Sequence, residues 1–469
     1  MYGKKASMEM MGVMTRFDPI SAEVLASCSP DGLTIDELRE AMGRAGLKMQ
    51  NIVHDATRHI CSTYYADFER GVYRELTLSR AYILNGDDLR RIAEMEMPAS
   101  LINGDFYQYY TESVPLPMTI YDFVRRYKEI PPDVVFQVWH NVYKRITYSN
   151  GMWPQEVLDF IFELAPNSQL PAPDGNGEIT IYRGMGELSQ PPARAISWST
   201  HPGNALWFAI HSGRGTGVAV ARVQPEQIAA YFEGFQRENE VILRPGTIAD
   251  YWYEDMIPVT EKTVPPMLIK SILDYLRYGV QVERLGYKRE AFFQIHGMHH
   301  ILRVLMLSLI YYHNSGDLLS DADKRIMIYF SLLHDIGREN EDVDGDHGRR
   351  SVELIHRQGL RIQDLPMSKK DYRIAEMLIE HHCHADEEGE TAIRSASGLS
   401  MREKEHAVHL YQVCKDMDGL DRVRFNGLDY RMLRTPYGRR LPLVAGGLLQ
   451  EKLELFDEEA ISLLRHLRG

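Results

Sequence analysis

Apolar residues recur at helical spacing from Ile20 to about Ile60: Ile20, Val24 and Leu25, then Leu33, Ile35, Leu38 and Met42. Asp31-Gly32 predicts a turn, and Thr34 with Glu37 three residues on predicts a capping box. A winged-helix module and a plain helical subdomain both read this way. Helical spacing resumes from about Ala99 to Leu164, with Pro and Gly breaks between its pieces. Pro171 to Gly177 is loop material. The pattern then turns strand-like at Ile179 to Tyr182, Gly217 to Ala221 and Glu240 to Leu243. From Pro266 onward it is almost entirely helical. This order predicts a multidomain α+β protein. Its parts are a helical N-terminal module at 1–98, a mixed α/β domain with a preceding helical lobe at 99–265, and an all-α domain at 266–469.

Composition narrows the class. The 469 residues are enough for two or three domains with real cores. The net charge of −13 argues against a general nucleic-acid coat. Cys28, Cys61, Cys383 and Cys414 form no CxxC pair, which suits a reducing compartment better than a disulfide framework. Met1 to Met14 lacks a sustained apolar segment, so a Sec-type leader is not expected. The longest apolar stretch, Ile301 to Tyr312, carries Arg303 and falls short of the ~20 residues a membrane helix needs. The expectation is a soluble, cytoplasmic protein without a membrane partner.

Three pieces of the middle segment carry chemistry. Arg183 stands at a strand end, where its planar guanidinium suits a pyrophosphate. Ser197 and Ser199 alternate along one strand and share a face, with Trp198 turned away. Glu238 and Glu240 likewise share a face. In this order the pieces resemble the Arg-Ser-Glu class of mono-ADP-ribosyltransferases, over about Ile179 to Tyr251. The resemblance implies that Arg183 and Ser197 hold NAD, with Ser199 supporting the loop. It also implies that Glu240 stabilises an oxocarbenium-like transition state and that Glu238 positions the acceptor, a protein arginine.

The helical block carries a histidine–aspartate set. His296-Gly297-Met298-His299-His300 is followed by His334-Asp335, His347, His381-His382 and Asp418. Imidazole and carboxylate are ligands that first-row divalent ions accept, and such an ion makes a nucleophile of water at neutral pH. Spacing and order resemble the HD superfamily of metal-dependent phosphohydrolases, from about His296 to Arg424. By that resemblance His300, His334, Asp335 and Asp418 are core ligands, and Asp335 bridges two ions. His347 and one or both of His381 and His382 complete a second site. The ions would be one or two of Mn, Mg, Fe, Ni or Co. Arg338 and Arg422 are expected to bind the phosphate of a nucleotide-type substrate, and His296 to help bind that phosphate or a metal ion.

A transferase followed by a phosphodiesterase suggests a relay, in which the second site cuts a phosphate bond of the ADP-ribosyl product. The pairing resembles SidE-type bacterial effectors. That likeness implies ubiquitin as acceptor and host cytosol as the place of action of a translocated effector. Two independent activities, with the helical domain hydrolysing a nucleotide or cyclic dinucleotide, fit the same residues. So does a non-enzymatic NAD or nucleotide sensor.

Overall fold

A computed structural model describes residues 17–55, 62–146, 153–166, 168–211, 215–233, 239–260, 262–286, 296–339, 343–425 and 428–450. The fold is mixed, with many helices and two antiparallel sheets. None of the described helices is long and apolar enough to cross a membrane.

The N-terminal region departs from the expected all-helical module. Helices α1 (Ala22–Cys28) and α2 (Ile35–Arg44) lie where the spacing predicts, and Thr34 and Glu37 form the capping box. Beside them stands a four-stranded antiparallel sheet, β1 (Phe17–Pro19), β2 (Ile52–Asp55), β3 (Thr63–Asp67) and β4 (Val72–Leu76), in that order. These strands have three to five residues. All five residues of β3 are buried, so a period of two never appears in its sequence. Cys28 is disulfide-bonded, contrary to the expectation of free thiols, and its partner lies outside the described residues.

Helices α3 (Arg80–Asn85) and α4 (Asp87–Glu94) close the core of this first region, which includes Leu38, Met42, Ile52 and Tyr65. A helical lobe follows, chiefly α5 (Leu116–Arg126), α6 (Val135–Arg145) and α7 (Gln155–Glu163). Its apolar stripes meet around Trp139, Phe123 and Phe136, each worth about 1.5–3 kcal/mol when fully buried. Asp122 ties the lobe to the first sheet: it accepts from Tyr73 Oη and, at 3.1 Å, from Arg126 Nε.

The second sheet contains β5 (Ile179–Gly186), β6 (Ser197–Ser199), β7 (Gly215–Val223), β8 (Ile228–Phe232), β9 (Glu240–Leu243) and β10 (Tyr251–Tyr253). Its strand order is β10-β7-β5-β6-β9-β8. Ser199 pairs with Glu240 and Ser197 with Ile242, which puts these four side chains on one face. Ile242 and Ile196 pack into the lobe, while Trp198, Val241 and Leu243 form a separate core. Helix α8 (Pro202–His211) crosses β5, and Gly184 permits the approach. A Cβ there would stand 2.1 Å from Ala205 O.

The rest is helical: α9 (Val264–Gly279), α10 (Met298–Asn314), α11 (Asp321–Leu333), α12 (His347–Gln358), α13 (Lys369–His381), α14 (Asp386–Ser395), α15 (Met401–Leu420) and α16 (Pro442–Gln450). Ser320, Ser368 and Ser400 start α11, α13 and α15 with capping boxes. The core of this block continues into the middle sheet through Tyr182, Leu206, Ile210 and Val218. At that junction Arg431 donates to Tyr182 Oη (2.8 Å), and Ile257 N donates to Arg440 O (2.8 Å).

Candidate functional site

Five helices of the last block turn donors toward one buried point. His300 lies in the first turn of α10, and His334 caps the C-terminus of α11 with Asp335 beside it. His347 opens α12, His382 caps α13, and Asp418 lies near the end of α15. Two glycines let the backbones come close enough. A Cβ on Gly337 would meet Ser351 N at 2.3 Å, and one on Gly348 would meet Ile379 O at 2.4 Å. Ser351 then fastens the turn, donating to His334 O (2.7 Å) and accepting from Gly337 N (2.9 Å).

Asp335 divides the point into two half-sites. Its Oδ2 is 3.5 Å from His300 Nε2 and 3.7 Å from His334 Nε2, and Asp418 Oδ1 is 3.3 and 3.6 Å from the same two nitrogens. Its Oδ1 is 3.2 Å from His347 Nε2 and 3.6 Å from His382 Nε2. Two ligands on one divalent ion, with bonds of ~2.0–2.2 Å, lie about 3.0–3.5 Å apart. These spacings fit a metal ion in each half.

The hydrogen bonds behind the rings decide what the rings offer. His334, His347 and His382 each set Nδ1 on a backbone carbonyl, of Ser331, Asp344 and Ile379. A carbonyl only accepts, so each Nδ1 carries a hydrogen and Nε2 is the nitrogen each ring turns to the centre. His347 and His382 then face each other, Nε2 to Nε2, at 2.8 Å. A proton on one Nε2, or a cation held by both, makes such a close pair favourable.

The charges point the same way. His300 is pushed up to about 9: burial works against its charge, but hydrogen bonds to Asp418 and Asp421 outweigh it. Burial also pushes Asp335 and Asp418 upward, yet the surrounding imidazoles hold both well below the usual carboxylate range. His382 is driven down by burial. The pocket thus favours positive charge beside its carboxylates at His300, and burial disfavours it at His382.

Of the expected ligands, His300, His334, Asp335, His347, His382 and Asp418 come together. His381 does not. One residue is ~100° of helix, and His381 Nδ1 faces His384 at 3.4 Å. His296 joins the donor set itself, 2.8 Å from Asp335 Oδ2. Arg338 stands 3.8 Å from Asp335 Oδ1. Arg422 is exposed, and Arg424 occupies the inner position expected of it, bonded to Asp421. Asp416 is an anchor for the Arg434–Thr435 backbone, at 2.7–3.1 Å.

Sequence reasoning gave no role to Asp421 or Arg303 and counted Arg424 only among the basic residues around the set. Asp421 takes His300 Nδ1 at 2.7 Å and is gripped by both arginines. Arg424 Nε is buried without a hydrogen-bond partner. A usable signal existed, since Arg303 and Asp421 stand three residues after His300 and Asp418, on the same helix faces.

A second cluster lies where the lobe meets the middle sheet. Ser197 Oγ donates to Glu240 Oε1 at 2.6 Å, and His140 Nε2 lies 2.7 Å from Oε2. Arg183 Nη1 donates to Ser197 O, and Tyr143 approaches the same guanidinium. Burial pulls Arg183 below its ordinary range. Burial pushes Glu240 up, but His140 and Ser197 bring it below the ordinary carboxylate value. Ser199 serves the loop instead, accepting from His201 N (3.0 Å) and Asn204 Nδ2 (3.3 Å). Trp198 is buried on the opposite side. Glu238 lies outside the described residues. His140, stacked on Phe232 at 3.9 Å, comes from α6 and carried no signal in the chain.

A scan against protein-family models and searches of curated proteins and of solved structures find no match to this chain.

Proposed function

We propose that the chain is a bifunctional enzyme. Its helical block is an HD-type metal-dependent phosphodiesterase, and its middle segment is a mono-ADP-ribosyltransferase of the Arg-Ser-Glu class. The observation that carries the reading is the division of Asp335, whose two oxygens each face a pair of imidazole Nε2 atoms.

His300, His334, Asp335 and Asp418 would hold one divalent ion, and His347, His382 and Asp335 a second. Such ions supply Lewis acidity toward a phosphate ester. The chain's own groups do the rest. Asp421 keeps His300 oriented, with Arg303 and Arg424 balancing its charge. Arg424, with an unpartnered Nε, and Arg338 are the cations that orient a substrate phosphate. His296 is held by Asp335 at the edge of the set, where it moves a proton to or from the substrate.

The transferase half is supported by the meeting of Arg183, Ser197 and Glu240. Each Glu240 oxygen has one partner and a lone pair to spare, so a ribose hydroxyl can join Ser197 and His140 there. The pairing resembles SidE-type effectors, which makes ubiquitin the first acceptor to test and a relay the first scheme.

The test is the intact mass of ubiquitin and other acceptors after incubation with NAD and Mg or Mn, using wild type and Asp335→Ala. Phosphoribose from the wild type and whole ADP-ribose from the variant are expected. Whole ADP-ribose from both would separate the two activities. No mass shift on any acceptor would overturn the transferase assignment.

A further inference from the structure

Cys383 follows His382 directly and stands at the second half-site. The ligand atoms of His347, His382 and Cys383 all lie within 4.8 Å of one another. Its thiol is free, half-buried, and donates to Gly345 O at 3.0 Å, on the loop that leads into α12 and His347. Elsewhere, Cys414 is fully buried in the core of the block and Cys28 is in a disulfide. Among the described residues, Cys383 is thus the thiol that stands beside imidazole donors.

The two halves differ in chemistry. The first offers two imidazoles and two carboxylates. The second offers two imidazoles and one oxygen of the shared Asp335, a set short of one donor for a closed tetrahedral site. We propose that Cys383 is the missing ligand, so that the second half-site is a His-His-Cys site for a thiophilic divalent ion such as zinc, unlike the first. This rests on the reading of the cluster as a metal centre.

Zn–S bonds of ~2.3 Å and Zn–N bonds of ~2.0–2.1 Å put sulfur and nitrogen on one ion about 3.5 Å apart. Sγ reaches that distance with a shift of roughly 1 Å, by rotating off Gly345 O. On ligation the thiol proton passes to solvent and the sulfur lone pair goes to the ion. Soft thiolate then selects zinc-like ions where a carboxylate would accept Mg or Mn.

The test loads the metal-free full chain with Co(II), reading the near-ultraviolet thiolate-to-cobalt charge-transfer band together with bound cobalt by elemental analysis. Wild type is expected to bind two ions and show the band. Cys383→Ser and Cys383→Ala are expected to lose the band, keep the first ion, and bind the second about 10–100-fold more weakly. Two bound ions without the band in wild type, or a band that survives both substitutions, would overturn the ligand assignment and leave the metal centre standing. No bound cobalt in the folded wild type would overturn both.

Discussion

In the helical block, four imidazole nitrogens and two carboxylates face one another across 2.8–3.7 Å, with hydrogen bonds behind the rings that turn each Nε2 inward. In the middle sheet, both oxygens of Glu240 are met by protein, one by Ser197 and one by His140. The first centre is a set of donors that could hold a metal ion. The second is held together by contacts among its own residues. Buried polar groups are costly when unpaired, so the first should be sensitive to ion removal and the second to loss of an internal partner.

The largest effect that tests this contrast is on Asp335. Asp335→Ala removes a donor from both half-sites, and phosphodiester hydrolysis should fall by more than about a thousandfold, more than the loss of one orienting group produces. Metal analysis should show both ions gone while NAD turnover continues. Retention of both ions would break the bridging role.

Next comes Gly348→Val. Its side chain would enter the space of Ile379 O and Glu380 O, forcing α12 off α13. Overpacking of this kind costs about 1–3 kcal/mol, and parting His347 from His382 should weaken the second ion. Calorimetry with and without metal reads both; an unchanged melting temperature and affinity would mean the close approach is not needed.

His140→Ala should lower NAD turnover about tenfold to a hundredfold, the equivalent of one hydrogen bond to a charged group. The sign in pH follows from Glu240. Its ionised form is lost as pH falls through a value that His140 helps to depress. Removing His140 raises that value, so the acid limb of the rate profile should move to higher pH. His140→Gln should restore part of both. An unmoved acid limb would place His140 in packing alone.

The smallest effect is a control far from both centres. His406 Nε2 lies 2.8 Å from Asp323, which raises the His406 value; Asp323 is lowered, burial opposing and His406 prevailing. The histidine's contribution is full below its unfolded pKa of ~6.5 and is lost as pH rises through its raised folded value. The aspartate's is present above ~3.9 and lost as pH falls through its lowered value. His406 is partly exposed, so screening keeps the pair below ~1 kcal/mol. The melting temperature of His406→Ala should differ from wild type at pH 5.5 and converge with it at pH 9.

Much of the helical centre was legible in the chain because its ligands come from helix ends, where histidine and aspartate break an apolar pattern at recognisable spacings. Asp418 was preferred to Asp416 only through the resemblance to the HD superfamily, and the structure shows Asp416 bonded to backbone at 434 and 435. His381 and His382 were not separable. They are adjacent in sequence, and only the helix rotation turns one inward. The short N-terminal strands were hidden because three to five residues are too few to show alternation, and β3 is buried throughout.

What the sequence determined by itself is local: capping boxes, helix stripes, strand starts and the kinds of donor available. These depend on residues within one or two turns of each other. The tertiary structure decided what depends on distant chain. His140 reaches Glu240 across 100 residues, and Asp421 reaches His300 across 121. Which nitrogen of each ring points inward is likewise set by a carbonyl or carboxylate behind it. No periodicity encodes such pairs, because they arise only when separate elements pack and each buried donor must find an acceptor.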